Sequence, residues 1–416
     1  MARGSNTQQA AKTTFRDVFA VAEFRALWMA QLLSVIGDQL ARVALTVLVY
    51  DRTRSALLAA VTFAVSIVPT FIGGVTLAWL ADRYPRRVVM IACDVIRAAL
   101  VLVMAIPGMP LAVLVVLLFV VTLAGAPFLA ARAAVYPDVL TGDSYVMGTA
   151  VSLTTLQFAQ VIGFAAGGAV VGFFGTRPSL LADAATFVAS ALVVRAWVRR
   201  RPAPTAVSGD RGPSQLAGII AGTRLVFATP ALLAPMLFGW LAAFYNSPEG
   251  VVTPLARVLG GGAVAVGVIL AAQALGQTVG ALAFSRFVAP AVRMRFVGPL
   301  AVASCAVLVL FAWRPDLVVS LLILGASGLF AAYQLAANAA FVTAAPQEQR
   351  SQAFGLAQGG MSLGQGTVMI LAGAAAQHLA PARVIAGCGA LGAVLALAIA
   401  LGPARGRPVS ERRSTR

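Results

Sequence analysis

The stretch LAVLVVLLFVVTLAGAPFLAA, residues 111–131, carries no charged side chain over 21 positions. A helix of that length spans about 30 Å, the thickness of a bilayer's hydrocarbon core. In lipid every backbone amide must be satisfied internally, so a spanning segment is a helix or part of a closed barrel. This one lacks the polar alternation of a barrel strand. It reads as a transmembrane helix.

Similar runs recur outward in both directions. The expected spans are Leu27–Tyr50, Leu57–Leu80, Val88–Ile106, Leu111–Ala131, Val146–Phe174 and Ser179–Val198, followed by Ala231–Thr253, Ala263–Phe287, Phe296–Trp313, Leu317–Val342, Ala353–Gln377 and Ala382–Leu401. That makes an all-α membrane protein of twelve transmembrane helices. The 416 residues are 60% hydrophobic and only 11% charged, with a mean hydropathy of +0.89. A water-facing globule carries about 25% charged residues, so a soluble protein of this size is excluded.

The net charge of +17 invites a nucleic-acid reading, but the basic residues sit in short loops and tails rather than along one face. With the N-terminus inside, 23 of the 31 basic residues fall in cytoplasmic segments and six outside, while Arg42 and Arg97 lie within spans. That asymmetry is the positive-inside pattern of an N-in/C-in protein. Arg132, directly after the fourth expected span, is counted among the cytoplasmic residues. Lys12 is the only lysine, which points to a GC-rich bacterial gene and hence to a bacterial inner (plasma) membrane. The polar N-terminus has no apolar core of a signal peptide, so insertion is expected to begin with the first span. Cys93, Cys305 and Cys388 lie in apolar runs at unrelated spacings, which suits small buried hydrophobes better than disulfides or metal ligands.

Residues 199–215, RRRPAPTAVSGDRGPSQ, form the one long polar break within the membrane region, and their Pro, Gly and Ser content marks a linker. The expected organisation is a cytoplasmic N-terminal segment 1–26, a six-helix bundle 27–198, a cytoplasmic linker with an amphipathic helix 199–230, a second six-helix bundle 231–401 and a basic cytoplasmic tail 402–416. Traces of duplication support two halves, each built of inverted repeats. Ala131-Arg132-Ala133-Ala134 matches Ala337-Asn338-Ala339-Ala340 at an offset of 206 residues, and Arg83 matches Arg286 at 203. Two six-helix repeats around a central site are an architecture of transporters that rock one half against the other.

Ionisable groups inside spans are costly and mark function by default. Asp38 and Arg42, four apart in the first span, share a face and are expected to pair; Asp94 and Arg97, three apart in the third, likewise. Such pairs are candidates for proton coupling, with static ion pairing as the plainer alternative. Glu249, between Pro248 and Gly250, suggests either a broken helix lining a cavity or an acid at the outer helix end. Gln157, Gln273, Tyr333, Gln334, Asn338 and Gln358 are candidates to line a cavity or to bond helix to helix. His378, at an outer helix end, reads as a bystander. There is no phosphate-cradling glycine loop, metal-ligand cluster or nucleophile motif, so no enzyme activity and no cofactor is expected; the proton gradient is the expected energy source.

The loop Ala78-Trp-Leu-Ala-Asp82-Arg83-Tyr-Pro-Arg86-Arg87 resembles the signature loop of the major facilitator superfamily, written G-x-L-A-D-R-x-G-R-R, with Ala78 and Pro85 replacing its glycines. The resemblance implies that Asp82 caps a helix of the other half and that Arg83, Arg86 and Arg87 belong to a gating loop that locks the outward-open state. Gly163-Phe-Ala-Ala-Gly167-Gly168 resembles the G-P-x-x-G-G element of drug–proton antiporters, with Phe164 in place of Pro; small residues there also allow close helix packing. Phe24-Arg-Ala-Leu-Trp28, Gly37-Asp38, Asp94-x-x-Arg97 and Asp183-Ala-Ala-Thr-Phe187 extend the resemblance to the multidrug, macrolide and siderophore exporter branch. It implies a monomeric, proton-coupled exporter of small hydrophobic or amphiphilic compounds, whose partners are substrate, protons and the bilayer. The alternatives are uptake, a lipid-like substrate, or a membrane-embedded enzyme or scaffold.

Overall fold

The computed structural model describes residues 15–202 and 223–402, all of whose regular elements are helical. The expected N-terminal segment, linker and C-terminal tail therefore fall largely outside the described residues. After a short helix, Phe15–Ala20, the first group comprises α1 (Ala22–Thr53), α2 (Ala56–Thr76), α3 (Arg86–Met104), α4 (Leu111–Val139), α5 (Asp143–Phe174) and α6 (Thr176–Trp197). In the second group, α7 is segmented into Pro230–Trp240, Ala242–Tyr245, Ser247–Gly250 and Val252–Val258. It is followed by α8 (Ala263–Phe287), α9 (Pro290–Trp313), α10 (Leu317–Ala344), α11 (Arg350–Ala375) and α12 (Pro381–Leu401).

Nine helices among the described residues are long and apolar enough to cross a membrane. The three expected spans outside that set have local reasons. Helix α3 carries Arg86, Arg87, Asp94 and Arg97, α7 is cut into short pieces, and α11 is diluted by Gln352, Gln358 and Gln365. Leu153, Leu192, Leu322 and Val394 are each more than half exposed on the bundle's outside, an apolar surface that only lipid would solvate well.

Helix boundaries follow local chemistry. The Ser55 side chain accepts from the Leu58 amide at 3.2 Å to start α2, and Asp316 accepts from Val319 at 2.8 Å to start α10, each capping an otherwise orphaned donor. Gly175, at φ +88°, joins α5 to α6 in a single residue, a backbone state that only glycine adopts without strain. Helix α2 breaks at Ser66–Ile67, ahead of Pro69, because proline cannot donate to the preceding turn. The fourth span departs from expectation. It does not stop at Ala131 but runs through Pro127 and Pro137 to Val139, so Arg132 lies within a helix and not in a terminal segment. In a membrane bundle, neighbouring groups can satisfy carbonyls beside such prolines; Arg86 Nη1 donates to the Ala134 carbonyl at 2.8 Å.

Within the first group α1 packs on α5 and α6, and α3 on α4 and α6; within the second α8 packs on α10 and α9 on α12. Between the groups the main seams are α5 against α8 and α2 against α11. These seams are glycine-lined. A Cβ on Gly168 would fall 2.6 Å from the Gly267 Cα, and one on Gly373 2.3 Å from the Ala60 Cβ.

Candidate functional site

A cavity of about 200 Å³ opens inside the first group, walled by α1 to α4 with Leu156 of α5 and Asp183 of α6. Along α1 its lining runs from Gln31 to Leu45, about 21 Å at 1.5 Å per residue. Apolar side chains share the wall with Gln31, Ser34, Ser66, Thr70 and Thr122, and five charged residues face it: Asp38, Arg42, Arg97, Arg132 and Asp183.

Arg97 is the hub. Its Nη2 donates to Asp38 Oδ1 at 2.5 Å and its Nη1 to Ser34 Oγ at 3.0 Å, and Asp94 Oδ1 lies 4.0 Å away. The guanidinium carbon sits 3.9 Å from the Phe187 ring centroid, where the ring's negative face favours a cation. Arg97 and Asp94 are buried, whereas the Asp38 side chain is about one-third exposed. Ser190 donates to Asp94 Oδ2 at 2.6 Å. Asp183 adds a third carboxylate, buried, with neither oxygen hydrogen-bonded. Its approach to α1 depends on Gly37, where a Cβ would lie 2.4 Å from Asp183 Oδ1. Three carboxylates thus gather around one guanidinium in a site where unpaired charge is expensive.

Arg42 does not pair with Asp38 as their spacing suggests. Its Nη2 donates to the Ser66 carbonyl at 3.1 Å, a group freed by the break in α2, and its guanidinium carbon lies 5.4 Å from the Phe63 ring centroid. The acids whose fields reach Arg42 are Glu249 and Asp38. Glu249 belongs to the short Ser247–Gly250 piece of α7, so of its two sequence readings the broken helix describes its surroundings. No ion pair joins Arg42 to Glu249 or Asp38 among the described residues.

The expected cavity-lining amides are placed differently. Gln273 Nε2 donates to the Tyr245 carbonyl at 2.8 Å and to Asn246 Oδ1 at 2.9 Å; the Tyr333 hydroxyl donates to the Phe238 carbonyl at 3.0 Å; Gln334 Nε2 donates to the Gly239 carbonyl at 3.1 Å. All these acceptors lie on α7, whose breaks leave carbonyls without intrahelical donors, and buried carbonyls must find partners. Gln157 is half-buried and Asn338 and Gln358 are exposed; none of the six lines the cavity.

The loop residues are tied to their own group. Arg86 pairs with Asp138 at 2.8 Å and Arg87 donates to the Arg195 carbonyl. Arg83 lies over Trp79, 5.9 Å from its ring centroid, and Asp82 is exposed on a single helical turn, Leu80–Arg83. Gly163 and Gly167 admit Gln39 and Leu40 of α1, while Gly168 meets α8 of the second group. At the opposite end of the bundle two polar contacts join the groups: Arg257 with Asp51, and Gln377 Nε2 with Ser55 Oγ at 2.9 Å.

Two charged cavity residues, Asp183 and Arg132, are not among the sequence's site candidates. Asp183 has a visible signal, an acid inside an expected span. Arg132 directly follows the end of the expected span at Ala131 and is counted among the cytoplasmic residues, outside any span.

A family model described as Major Facilitator Superfamily matches residues 27–333. No curated protein sequence matches the chain. Similar solved structures include a POT family transporter in complex with 5-aminolevulinic acid, at 13% identity and a TM-score of 0.73 over 94% of this chain and 97% of that one. A bacterial homolog of the human lysosomal transporter Spinster, inward-facing and occupied, is similar at 14% identity and a TM-score of 0.67, with 94% of each chain covered. A mutant of the nucleoside transporter NupG is similar at 16% identity and a TM-score of 0.64, covering 90% of this chain and 98% of that one. At such identities the likeness speaks for the fold, and the family match spans well over half the sequence. The chain belongs to the major facilitator superfamily of transporters.

Proposed function

We propose that this multi-pass membrane protein is a proton-coupled exporter of small hydrophobic or amphiphilic compounds. In this reading it works as a monomer with twelve transmembrane helices in an N-in/C-in topology, in a bacterial inner membrane. Its two six-helix halves rock about the α2–α11 and α5–α8 seams. The observation that carries the reading is the part-buried Arg97–Asp38 pair on the cavity wall, with Asp94 and Asp183 beside it. When Asp38 takes a proton, the Arg97 guanidinium is released toward Asp94 and Asp183 beside it, and the helices that hold them must shift with it. Arg42 and Glu249 then relay the change to the segmented α7 of the other half. The Asp51–Arg257 and Ser55–Gln377 contacts fasten the end that this topology places outside, so the conformation described is closed to the exterior. Release of the Asp82–Arg87 loop from any partner in the second half belongs to the same state.

The test is accumulation of a panel of fluorescent and antibiotic compounds in a pump-deficient bacterial host, with and without a protonophore. Lower accumulation that the protonophore abolishes is the expected result. Higher accumulation in expressing cells would reverse the direction assigned here. Unchanged accumulation of the whole panel, with the protein in the membrane, would count against export.

A further inference from the structure

Arg132 is the cavity arginine with two buried guanidinium nitrogens left without a hydrogen-bond partner among the described residues. Arg97 has Asp38 and Asp94, and Arg42 donates to the Ser66 carbonyl and lies over the Phe63 ring. Arg132 Nε and Nη1 are buried without a hydrogen-bond partner, and no ion pair to it is found among the described residues. Its contact is with the Tyr136 ring, whose centroid lies 5.5 Å from the guanidinium carbon. A π-face offsets only a small part of the cost of an arginine held in an apolar bundle.

The acids of the cluster are too far along the bundle to answer it. Gly125 of α4 abuts the Arg97 guanidinium, at 3.7 Å from an added Cβ to Cζ. Arg132 lies seven residues further along the same helix, about 10 Å by helical rise. Both arginines line the one cavity, and along α4 the wall between Gly125 and Arg132 offers Phe128 and Leu129. The space therefore has a cationic end with unused donors and an apolar body. Farther on lies the carboxylate cluster, whose Asp38 is paired with Arg97.

We propose that Arg132 is a binding residue for an anionic substrate group: the cargo is a small amphiphile carrying a carboxylate, held by the guanidinium with its apolar part along α4. This deepens the transport reading above and rests on it. A guanidinium presents two parallel donors that match a carboxylate bidentately. One unpaired cation balances one negative charge, so a monoanionic carboxylate fits better than the dianion of a phosphate monoester, which would leave a charge buried and uncompensated.

The experiment uses the purified full chain in lipid nanodiscs and equilibrium binding of radiolabelled 2-naphthoate. Naphthalene-2-carboxamide and 2-naphthyl phosphate are competitors, and the variants are Arg132→Lys and Arg132→Gln, each checked for fold by gel filtration and melting temperature. The expected result is saturable binding to wild type, a loss of about tenfold or more in Arg132→Gln, and an intermediate loss in Arg132→Lys, since a point charge lacks the fork. The carboxamide competes at least about tenfold more weakly than unlabelled naphthoate. If Arg132→Gln does not fold, the lysine variant and the carboxylate-to-carboxamide ratio in wild type still decide the matter. Equal competition by the carboxamide, tighter binding of the phosphate, wild-type affinity in Arg132→Gln, or no saturable naphthoate binding would each overturn the proposal. Liposomes separate it from the broader reading. Arg132-dependent binding without movement of any compound would sink transport and keep the site. Transport with Arg132-independent binding would do the reverse.

Discussion

Arg97 on α3 reaches across the cavity wall to Asp38 on α1, its Nη2 2.5 Å from Oδ1, although Arg42 sits one turn from Asp38 on the same helix. The pairing ties two helices together through the least exposed cation of the cavity and leaves Arg42 free to face α7. What happens to this pair under protonation is the centre of the proposed mechanism.

Asp38→Asn removes the partner that is in contact with the cavity while Ser34, Asp94 and the Phe187 ring still hold Arg97. Breaking a fully buried pair costs about 3–5 kcal/mol; with Asp38 partly exposed and other partners kept, about 1–2 kcal/mol is expected. The variant should fold, melt a few degrees lower and lose gradient-driven transport. Wild-type transport by folded Asp38→Asn protein would remove Asp38 from coupling.

Gly168→Val places a side chain where the Gly267 backbone already lies, 2.6 Å from the new Cβ. Backbone cannot yield as a flexible side chain does, so α5 and α8 must separate. The expected outcome is membrane-inserted protein with transport down by about tenfold or more and greater thiol reactivity of a cysteine placed at Val264. Unaltered transport and reactivity would show that this seam tolerates separation.

The ion pair Asp51–Arg257 joins α1 to α7 with both side chains more than one-third exposed. Exposed pairs contribute about 0.2–1 kcal/mol, which shifts a two-state equilibrium by about 1.5- to 5-fold. Spin labels on the two halves should therefore report a modest opening at this end in Asp51→Arg, reversed in Asp51→Arg with Arg257→Asp. Failure of the double variant to restore the distance distribution would mean that the pair does not hold the end shut.

Gln273→Leu strips the buried donor from the Tyr245 carbonyl of α7. An unsatisfied buried carbonyl costs about 1–3 kcal/mol, so thermal stability should fall while substrate affinity stays within about twofold. A selective loss of affinity at unchanged stability would return Gln273 to the cavity.

Charge inside apolar runs made Asp38, Arg97, Asp94 and Glu249 legible from sequence, because their cost in lipid is local and visible. Their partners were not legible. The i,i+4 spacing of Asp38 and Arg42 favours a pair, but the choice of Arg97 depends on how α3 sits against α1, which no local pattern encodes. The destinations of Gln273, Tyr333 and Gln334 depend on where α7 breaks. Prolines 235, 248 and 254 hint at those breaks, but not which carbonyls go unbonded. Arg132 was not legible because the expected span ends at Ala131, whereas the helix continues through Pro137 to Val139.

The most direct measurement is substrate-dependent proton movement in proteoliposomes containing an internal pH-sensitive dye, with wild type and Asp38→Asn compared under the same imposed gradient. The substrate is a compound that the accumulation panel identifies. Proton flux that appears only with substrate, and is lost in folded Asp38→Asn protein, is the predicted result. Substrate movement in wild type with no accompanying proton flux would contradict it.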